Sequence, residues 1–375
     1  MKFNCDQQIL SKALSTVSKA ISQRTTIPVL KGILLTATND NKLKLTASNL
    51  DLSIERTIDV FVEEEGSIVI SDSKFFIDLI RKLPKQQINI EVTENEKVLI
   101  KTMTTEVNCV SQSADEFPNT GEIENIITKL SFNKNIFREM IKRTQFCASI
   151  DENKGIIVGI LVELEENSLN MVALDGFRMA VTREQMMNER RDKIIISAKI
   201  MNEINKILTE AGDEEDENID LILSDKKAVM LLSGTKVTMR LLEGEFISYK
   251  DILPKENGTV VNVSKDALIE SIERASLLAR EGRNNLIRVS ISENLLTISS
   301  ASDEGSVKED IIMEKQGNDL EIGFNSKYVM DALKAIEDDQ IRIEFNTAVK
   351  PCLIKPLEGN SYEYLILPVR IPSNQ

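Results

Sequence analysis

The chain has 375 residues, room for two or three domains, and its 42% hydrophobic content is that of a sequence that builds cores. A formal charge of −14 and the complete absence of histidine exclude an evenly basic nucleic-acid binder, the His-based catalytic triads and most zinc sites. Four dispersed cysteines, Cys5, Cys109, Cys147 and Cys352, form no CxxC pair, so they read as reduced thiols and not as disulfides or metal ligands.

In chain order, Phe3-Asn4 opens an amphipathic helix whose apolar residues Leu10, Leu14, Val17 and Ile21 share one face. The β-rich stretch Ile33-Leu34-Leu35-Thr36-Ala37 follows. Val69-Ile70-Ser71-Asp72-Ser73-Lys74 then leads through a polar cap, with serine as the capping residue, into a helical run from Ile77 to Leu83. The alternating strand Ile88-Asn89-Ile90-Glu91-Val92 comes next. The same order returns from Phe132-Asn133 (helix with Ile136, Phe137, Met140 and Ile141), through Ile195-Ile196-Ser197-Ala198-Lys199 and a helix over Asn202 to Leu208, to Ile219-Asp220-Leu221-Ile222-Leu223. It returns again from Val263-Ser264 (helix with Leu268, Ile272, Ala275 and Leu278), through Ile322-Gly323-Phe324-Asn325-Ser326-Lys327 and a helix over Met330 to Ile336, to Ile341-Arg342-Ile343-Glu344-Phe345. A period of about 125–130 residues is a domain and not a solenoid repeat. The sequence therefore predicts an α+β protein of three repeated domains, 1–124, 125–253 and 254–375, with polar or Pro/Gly-containing boundaries near Glu122–Asn125 and Leu253–Gly258.

Charge is partitioned by element. The helical segments carry Lys12, Lys19 and Arg24; Lys74, Arg81 and Lys82; Lys134, Arg138, Lys142 and Arg143; Lys199 and Lys206; and Lys327 and Lys334. The first helix of the third repeat is weaker, since Lys265, Arg274, Arg280 and Arg283 are balanced by acids. Acid gathers in Glu63-Glu64-Glu65, Asp213–Glu217 and Asp303-Glu304. Basic helices on an acidic body suit a surface that meets phosphates without reading bases. No GxxxxGK[ST] or GxGxxG motif, no apolar leader and no run of about 18 apolar residues is present, so the expectation is a cytoplasmic, non-enzymatic chain with no cofactor, no metal and no membrane contact. Two other classes stay open on residues alone: a surface scaffold that never encloses nucleic acid, and a carboxylate enzyme.

Several strings resemble the bacterial DNA polymerase III beta subunit family, the sliding clamps, and the resemblance runs end to end. They are Arg24-Thr25-Thr26-Ile27-Pro28-Val29-Leu30, Ala173-Leu174-Asp175-Gly176-Phe177-Arg178-Met179-Ala180, Glu243-Gly244-Glu245-Phe246-Ile247-Ser248-Tyr249 and Tyr364-Leu365-Ile366-Leu367-Pro368-Val369-Arg370-Ile371. The resemblance implies a head-to-tail homodimer, a ring of six domains around double-stranded DNA that tethers the replicative polymerase alpha subunit. It implies DNA contacts at Arg24, Ser73 and Lys199. Ser73 departs from the basic residue the family carries there, and Lys74 substitutes beside it. Arg81, Lys142 and Lys206 join them on charge and helix placement.

The resemblance also implies a pocket for short peptides of polymerases, the clamp loader and repair proteins. Its lining would be Ile157, Leu174, Gly176, Phe177, Arg178, Met179, Ile247, Ile252, Val349, Pro351, Leu367, Pro368, Val369, Arg370 and Ile371, with Arg178 and Arg370 offering hydrogen bonds to the peptide. The family often has His where Phe177 stands, Pro at Ile247 and Arg near Asp251, so this pocket would be more apolar and less basic. The implied dimer contact sets Leu277 and Leu278 opposite the strand around Val107 and Cys109.

Overall fold

Asp6 fixes where the first helix begins. Its carboxylate accepts from the backbone N–H groups of Gln8 (2.8 Å) and Ile9 (3.2 Å), donors that a helix start leaves unpaired. Strand β1 (Lys2–Asp6) therefore runs straight into α1 (Gln7–Ser18), and Phe3-Asn4 belongs to the strand and not to the helix. Leu10, Ala13, Leu14 and Val17 form the buried face, while Ile21 lies past the end of the helix. The computed structural model describes all residues except 23, 94–96, 120–122, 189, 213–216 and 373–375, and the backbone alone of Arg283. The acidic run at 213–216 and the first residue of the boundary at Glu122 thus fall outside the described residues, as does the Arg283 side chain.

The first repeat continues with β2 (Ile33–Thr38), β3 (Lys42–Ser48), β4 (Leu52–Asp59), β5 (Phe61–Glu64), β6 (Gly66–Ile70), α2 (Ser73–Lys82), β7 (Gln87–Val92), β8 (Lys97–Lys101) and β9 (Glu106–Gln112). The second holds β10 (Ile126–Asn133), α3 (Lys134–Lys142), β11 (Gly159–Glu165), β12 (Ser168–Leu174), β13 (Arg178–Gln185), β14 (Asp192–Ser197), α4 (Ala198–Glu210), β15 (Asn218–Ser224), β16 (Lys227–Leu232) and β17 (Thr235–Arg240). A single turn, α5 (Tyr249–Ile252), leads to the third. That repeat holds β18 (Thr259–Ser264), α6 (Lys265–Ala279), β19 (Leu286–Ser292), β20 (Leu295–Ser302), β21 (Gly305–Ile312), β22 (Glu314–Gly317), β23 (Leu320–Asn325), α7 (Ser326–Lys334), β24 (Gln340–Phe345), β25 (Cys352–Pro356) and β26 (Tyr362–Ile366).

Capping corrects one sequence expectation. The cap of α2 is Asp72, whose carboxylate accepts from the Phe75 N–H at 2.9 Å. Ser73 is the first helical residue, buried, and its hydroxyl donates to the Lys31 carbonyl at 2.6 Å. The far end of α2 is closed by Gln7, whose buried side-chain amide donates to the Ile80 carbonyl at 2.7 Å, one of the acceptors a helix end leaves open.

The three repeats gather into two compact units, Met1–Lys134 with Lys206–Leu241, and Asn135–Asn205 with the chain from Leu242 on. In the first, strands run in the order β10-β15-β16-β17-β4-β3-β2-β6-β9-β8-β7-β1-β5. In the second, a sheet β14-β11-β12-β13-β26-β25-β24-β18-β22 accompanies a four-stranded sheet β21-β20-β19-β23. Each large sheet crosses a junction between repeats without interruption, at β4–β17 and at β13–β26. At these two junctions the backbone ladder itself joins the repeats.

Lys134, where β10 turns into α3, is fully buried. Its ammonium pairs with Glu217, which also accepts from the Ser233 hydroxyl, and its N–H donates to the Glu217 carbonyl at 3.0 Å. Burial alone would push the Glu217 carboxyl up, but Lys134 and Ser233 hold it below the ordinary 4.5. A carboxylate depressed on folding adds stability above its unfolded pKa and loses that contribution as pH falls through the folded value. Lys134→Met should therefore cost about 3 kcal/mol in urea unfolding at pH 7, with the gap to the parent narrowing below pH 4.5. A gap that stays constant with pH would place the cost in packing and not in the ion pair.

Candidate functional site

The turn Asp175-Gly176-Phe177-Arg178 between β12 and β13 organises one exposed apolar ledge. The Asp175 carboxylate accepts from the N–H groups of Phe177 (2.9 Å) and Arg178 (3.1 Å), and Gly176 takes φ +95°, a value that other residues adopt only with strain. The outcome is a phenyl ring pushed outward, with Phe177 53% exposed. Tyr328 of α7 stacks on it at 6.1 Å, and the Lys154 ammonium lies 5.6 Å from its centroid. The Phe177 carbonyl accepts from the Leu367 N–H at 2.9 Å, which brings the segment after β26 alongside.

The Arg178 guanidinium is held by three acceptors of its own chain. It is buried; Nε donates to Asp175 (3.0 Å), Nη1 to Asp331 (2.7 Å) and Nη2 to the Phe146 carbonyl (2.7 Å). Its plane also lies 4.6 Å from the Tyr328 centroid. With each guanidinium nitrogen engaged, Arg178 is a post that ties the turn to α7. Arg370 is exposed.

Beneath the ledge lies a cluster of Leu161, Val172, Leu174, Met179, Val181, Ile195, Phe246, Tyr249, Leu353 and Leu365, with Ile157 packed against it. Leu174 and Met179 are thus floor, not lining that faces solvent. The exposed members are Phe177, Ile247, Ile252, Val349 and Leu367, while Pro351, Pro368, Val369 and Ile371 are half-buried. α5 sets Ile247 and Ile252 in place, because the Tyr249 hydroxyl donates to Glu163 at 2.6 Å and Lys250 pairs with Glu165. The tail beyond Leu367 is pinned too, since the Val369 N–H donates to the Gly323 carbonyl at 2.8 Å. A Cβ on Gly323 would fall 2.6 Å from the Val369 carbonyl oxygen, so glycine is what permits that approach. Sequence reading missed Tyr328, Lys154 and Asp331, since nothing in their spacing marks them as neighbours of Phe177.

The basic residues are placed unevenly. Arg24, Lys74, Lys199 and Lys206 are exposed. Ser73 is buried and its hydroxyl donates to the Lys31 carbonyl, while Lys74 beside it is exposed. Arg81 pairs with Asp78 at 2.6 Å, Lys142 with Glu337 at 3.1 Å and Lys199 with Glu152, so each would exchange an acidic partner for a phosphate. Leu277 is exposed on α6 and Leu278 half-buried, while on β9 Val107 is half-buried and Cys109 buried.

Three family models match in succession: the DNA polymerase III beta subunit N-terminal domain over residues 1–121, its central domain over 131–247 and its C-terminal domain over 250–370. A beta sliding clamp of Staphylococcus epidermidis is 34% identical, with 99% of each chain covered. The sliding clamp structure of Bacillus subtilis is 32% identical with a TM-score of 0.94, covering 99% of this chain and 100% of that one. A Pseudomonas aeruginosa sliding clamp bound to griselimycin is 26% identical with a TM-score of 0.93, again over 99% and 100%.

The Arg178 post can be tested in the isolated chain. Arg178→Met leaves Asp175 and Asp331 without their shared cation and should lower stability by about 3 kcal/mol in denaturant unfolding. Arg178→Lys should recover little of it, because an ammonium cannot span three acceptors. Full recovery by lysine would reduce the role of Arg178 to bare charge.

Proposed function

The chain belongs to the DNA polymerase III beta subunit family, the sliding clamps, and from that premise we propose how its own residues serve the role. It is a clamp, with no catalysis of its own: duplex DNA passes through a ring, and retention comes from topology and not from tight contact. Two copies, each of domains 1–124, 125–253 and 254–375, close head-to-tail. Arg24, Lys74 and Lys206, with Arg81, Lys142 and Lys199, the last three released from their acids, meet DNA phosphates without sequence preference. The site of action is the bacterial cytoplasm, at the nucleoid.

The second half of the proposal is the ledge at Phe177, Ile247, Ile252, Val349 and Leu367, which receives short Leu- or Phe-bearing peptides of the replicative polymerase alpha subunit, the clamp loader and other polymerase and repair partners. The observation that carries it is the Phe177 ring, held outward by a preformed turn beside Leu367. Large apolar side chains fixed at a surface at structural cost mark binding sites. With Phe177 and Ile247 apolar and Asp251 acidic, the ledge favours apolar over acidic peptides.

Two outcomes follow. Arg24→Glu combined with Lys199→Glu should shorten residence on nicked circular DNA, after loading, on the order of tenfold at fixed salt, and leave peptide affinity alone. Unchanged residence would remove both residues from the DNA surface. Phe177→Ala with Leu367→Ala should weaken a fluorescent Leu/Phe peptide by about tenfold or more and leave retention on circles intact; unaltered affinity would refute the ledge.

A further inference from the structure

The first and third repeats each cover the outer edge of their opening strand with a strand of their own. β5 pairs with β1, β22 pairs with β18, and each is the terminal strand of its sheet. In the second repeat the terminal strand is β10 itself, paired with β15 on one side alone. The chain that could cover it, the link from β13 to β14, starts as the other two do. The Met186 N–H donates to the Asn167 carbonyl (3.1 Å), as Val60 does to Asn41 (3.0 Å) and Met313 to Asn294 (3.0 Å). The link then turns back onto its own hairpin. The Asn188 N–H donates to the Glu166 carbonyl (3.0 Å), and its side-chain amide donates to the carbonyls of Glu165 (2.6 Å) and Ser168 (3.0 Å).

We infer that the open edge of β10 takes an extended segment of another protein as an added strand, one that sets an acidic side chain over Lys129 and Ser131 and an apolar one opposite Leu130. Main-chain bonds would supply the affinity of such an addition, and these side chains its specificity.

The register follows from the helices. α1, α3 and α6 begin directly after β1, β10 and β18, and their first residues make one bond in common: the N–H groups of Gln7, Lys134 and Lys265 donate to the carbonyls of Gln86, Glu217 and Asp339. Counted back from that bond, Phe3, Leu130 and Val261 hold one place, and all three are buried. Lys2, Lys129 and Val260 stand before them, and Asn4, Ser131 and Asn262 after. Successive residues of a strand turn their N–H and C=O groups to opposite sides. Since Lys134 bonds toward β15, Lys129 and Ser131 turn theirs to the open edge.

In the first repeat these two places grip a carboxylate of the covering strand. Glu63 of β5 accepts from the Lys2 ammonium (2.8 Å) and the Asn4 amide (2.8 Å), and these bonds, that of Lys2 foremost, hold its carboxyl below the ordinary range. The second repeat keeps the grip. Lys129 and Ser131 offer an ammonium and a hydroxyl at the same places, both exposed, and among the described residues Lys129 has no acidic partner. Val62 of β5 faces Phe3, which gives the apolar position opposite Leu130. In the third repeat, where Val260 stands in the place of the lysine, β22 sets the uncharged Gln316 opposite it.

Two nearer occupants fit less well. Counted from Met186, the link has Asn188 where β5 has Val62, so it would set an amide already bonded elsewhere against the buried Leu130. A second copy laid edge to edge would bring its own Lys129 to the seam, and lysine on an open edge discourages such self-pairing.

The probe is a synthetic peptide of β5, Val60 to Gly66 with blocked ends, beside the same peptide carrying Glu63→Lys and Glu64→Lys. Both are titrated onto the full-length chain and followed by fluorescence anisotropy and amide hydrogen exchange. In the free chain the Lys129 and Ser131 amides should exchange freely; slow exchange there means that the link or a second copy already covers the edge, and overturns the proposal. The acidic peptide should slow both amides and bind on the order of tenfold tighter than its lysine counterpart. Lys129→Glu should reverse that preference. Ser131→Pro removes a donor from the open edge alone, a change that terminal strands tolerate, so it should abolish binding and leave the unfolding midpoint in place. Phe177→Ala with Leu367→Ala should leave binding intact; a loss there moves the peptide to the ledge and overturns the edge site. Equal affinity for the two peptides, binding that survives Ser131→Pro, or no binding of either peptide overturns it as well.

Discussion

A strand edge presents a row of unpaired N–H and C=O groups, and the architecture is organised around where those rows are satisfied. A meander such as β2-β3-β4 ends in an edge; so does β15-β16-β17. Joining them turns two liabilities into one ladder, with Glu55 held between Lys44 and Lys236 on its face. The same solution recurs where β13 meets β26, with Glu363 between Arg183 and Lys355. Backbone pairing of this kind is strong in sum and largely indifferent to side-chain identity, which lets the repeats join by one rule.

The ledge depends on that ladder. Leu367 follows the last residue of β26, and its N–H continues the β13–β26 pairing to Phe177. Arg178, the first residue of β13, then anchors the turn to α7 through Asp331. The apolar surface is therefore an extension of the junction, held rigid by backbone bonds on one side and a buried cation on the other. A preformed surface of this sort keeps the entropic cost of binding small.

Much of the α+β pattern was legible in the sequence, because period-two strands such as Ile88–Val92 and the apolar face of α1 report burial directly. Helix starts were less so. Ser73 and Asp72 are both good caps by type; only the Lys31 carbonyl, distant in sequence, claims the serine and leaves the aspartate to the helix. The candidate site divides in the same manner. Phe177 and Leu367 could be placed by motif, but the partners that consume Arg178 and stack on Phe177 come from α7 and from Phe146, and no spacing rule reaches them. Counting basic residues on helices likewise gave a fair inventory of charge. It could not reveal that Lys142 and Lys199 already hold carboxylates, since Glu337 and Glu152 lie on other elements.

The bond from Leu367 to Phe177 belongs to two structures at once, the end of a sheet and the rim of a ledge. Thermodynamic reciprocity then applies: a ligand that favours the ordered form of these two residues tightens the end of the β13–β26 ladder by the same free energy that an intact ladder contributes to its binding. Hydrogen exchange at the Leu367 amide is in this sense an occupancy gauge for the surface, read from the backbone without touching any side chain that a partner contacts.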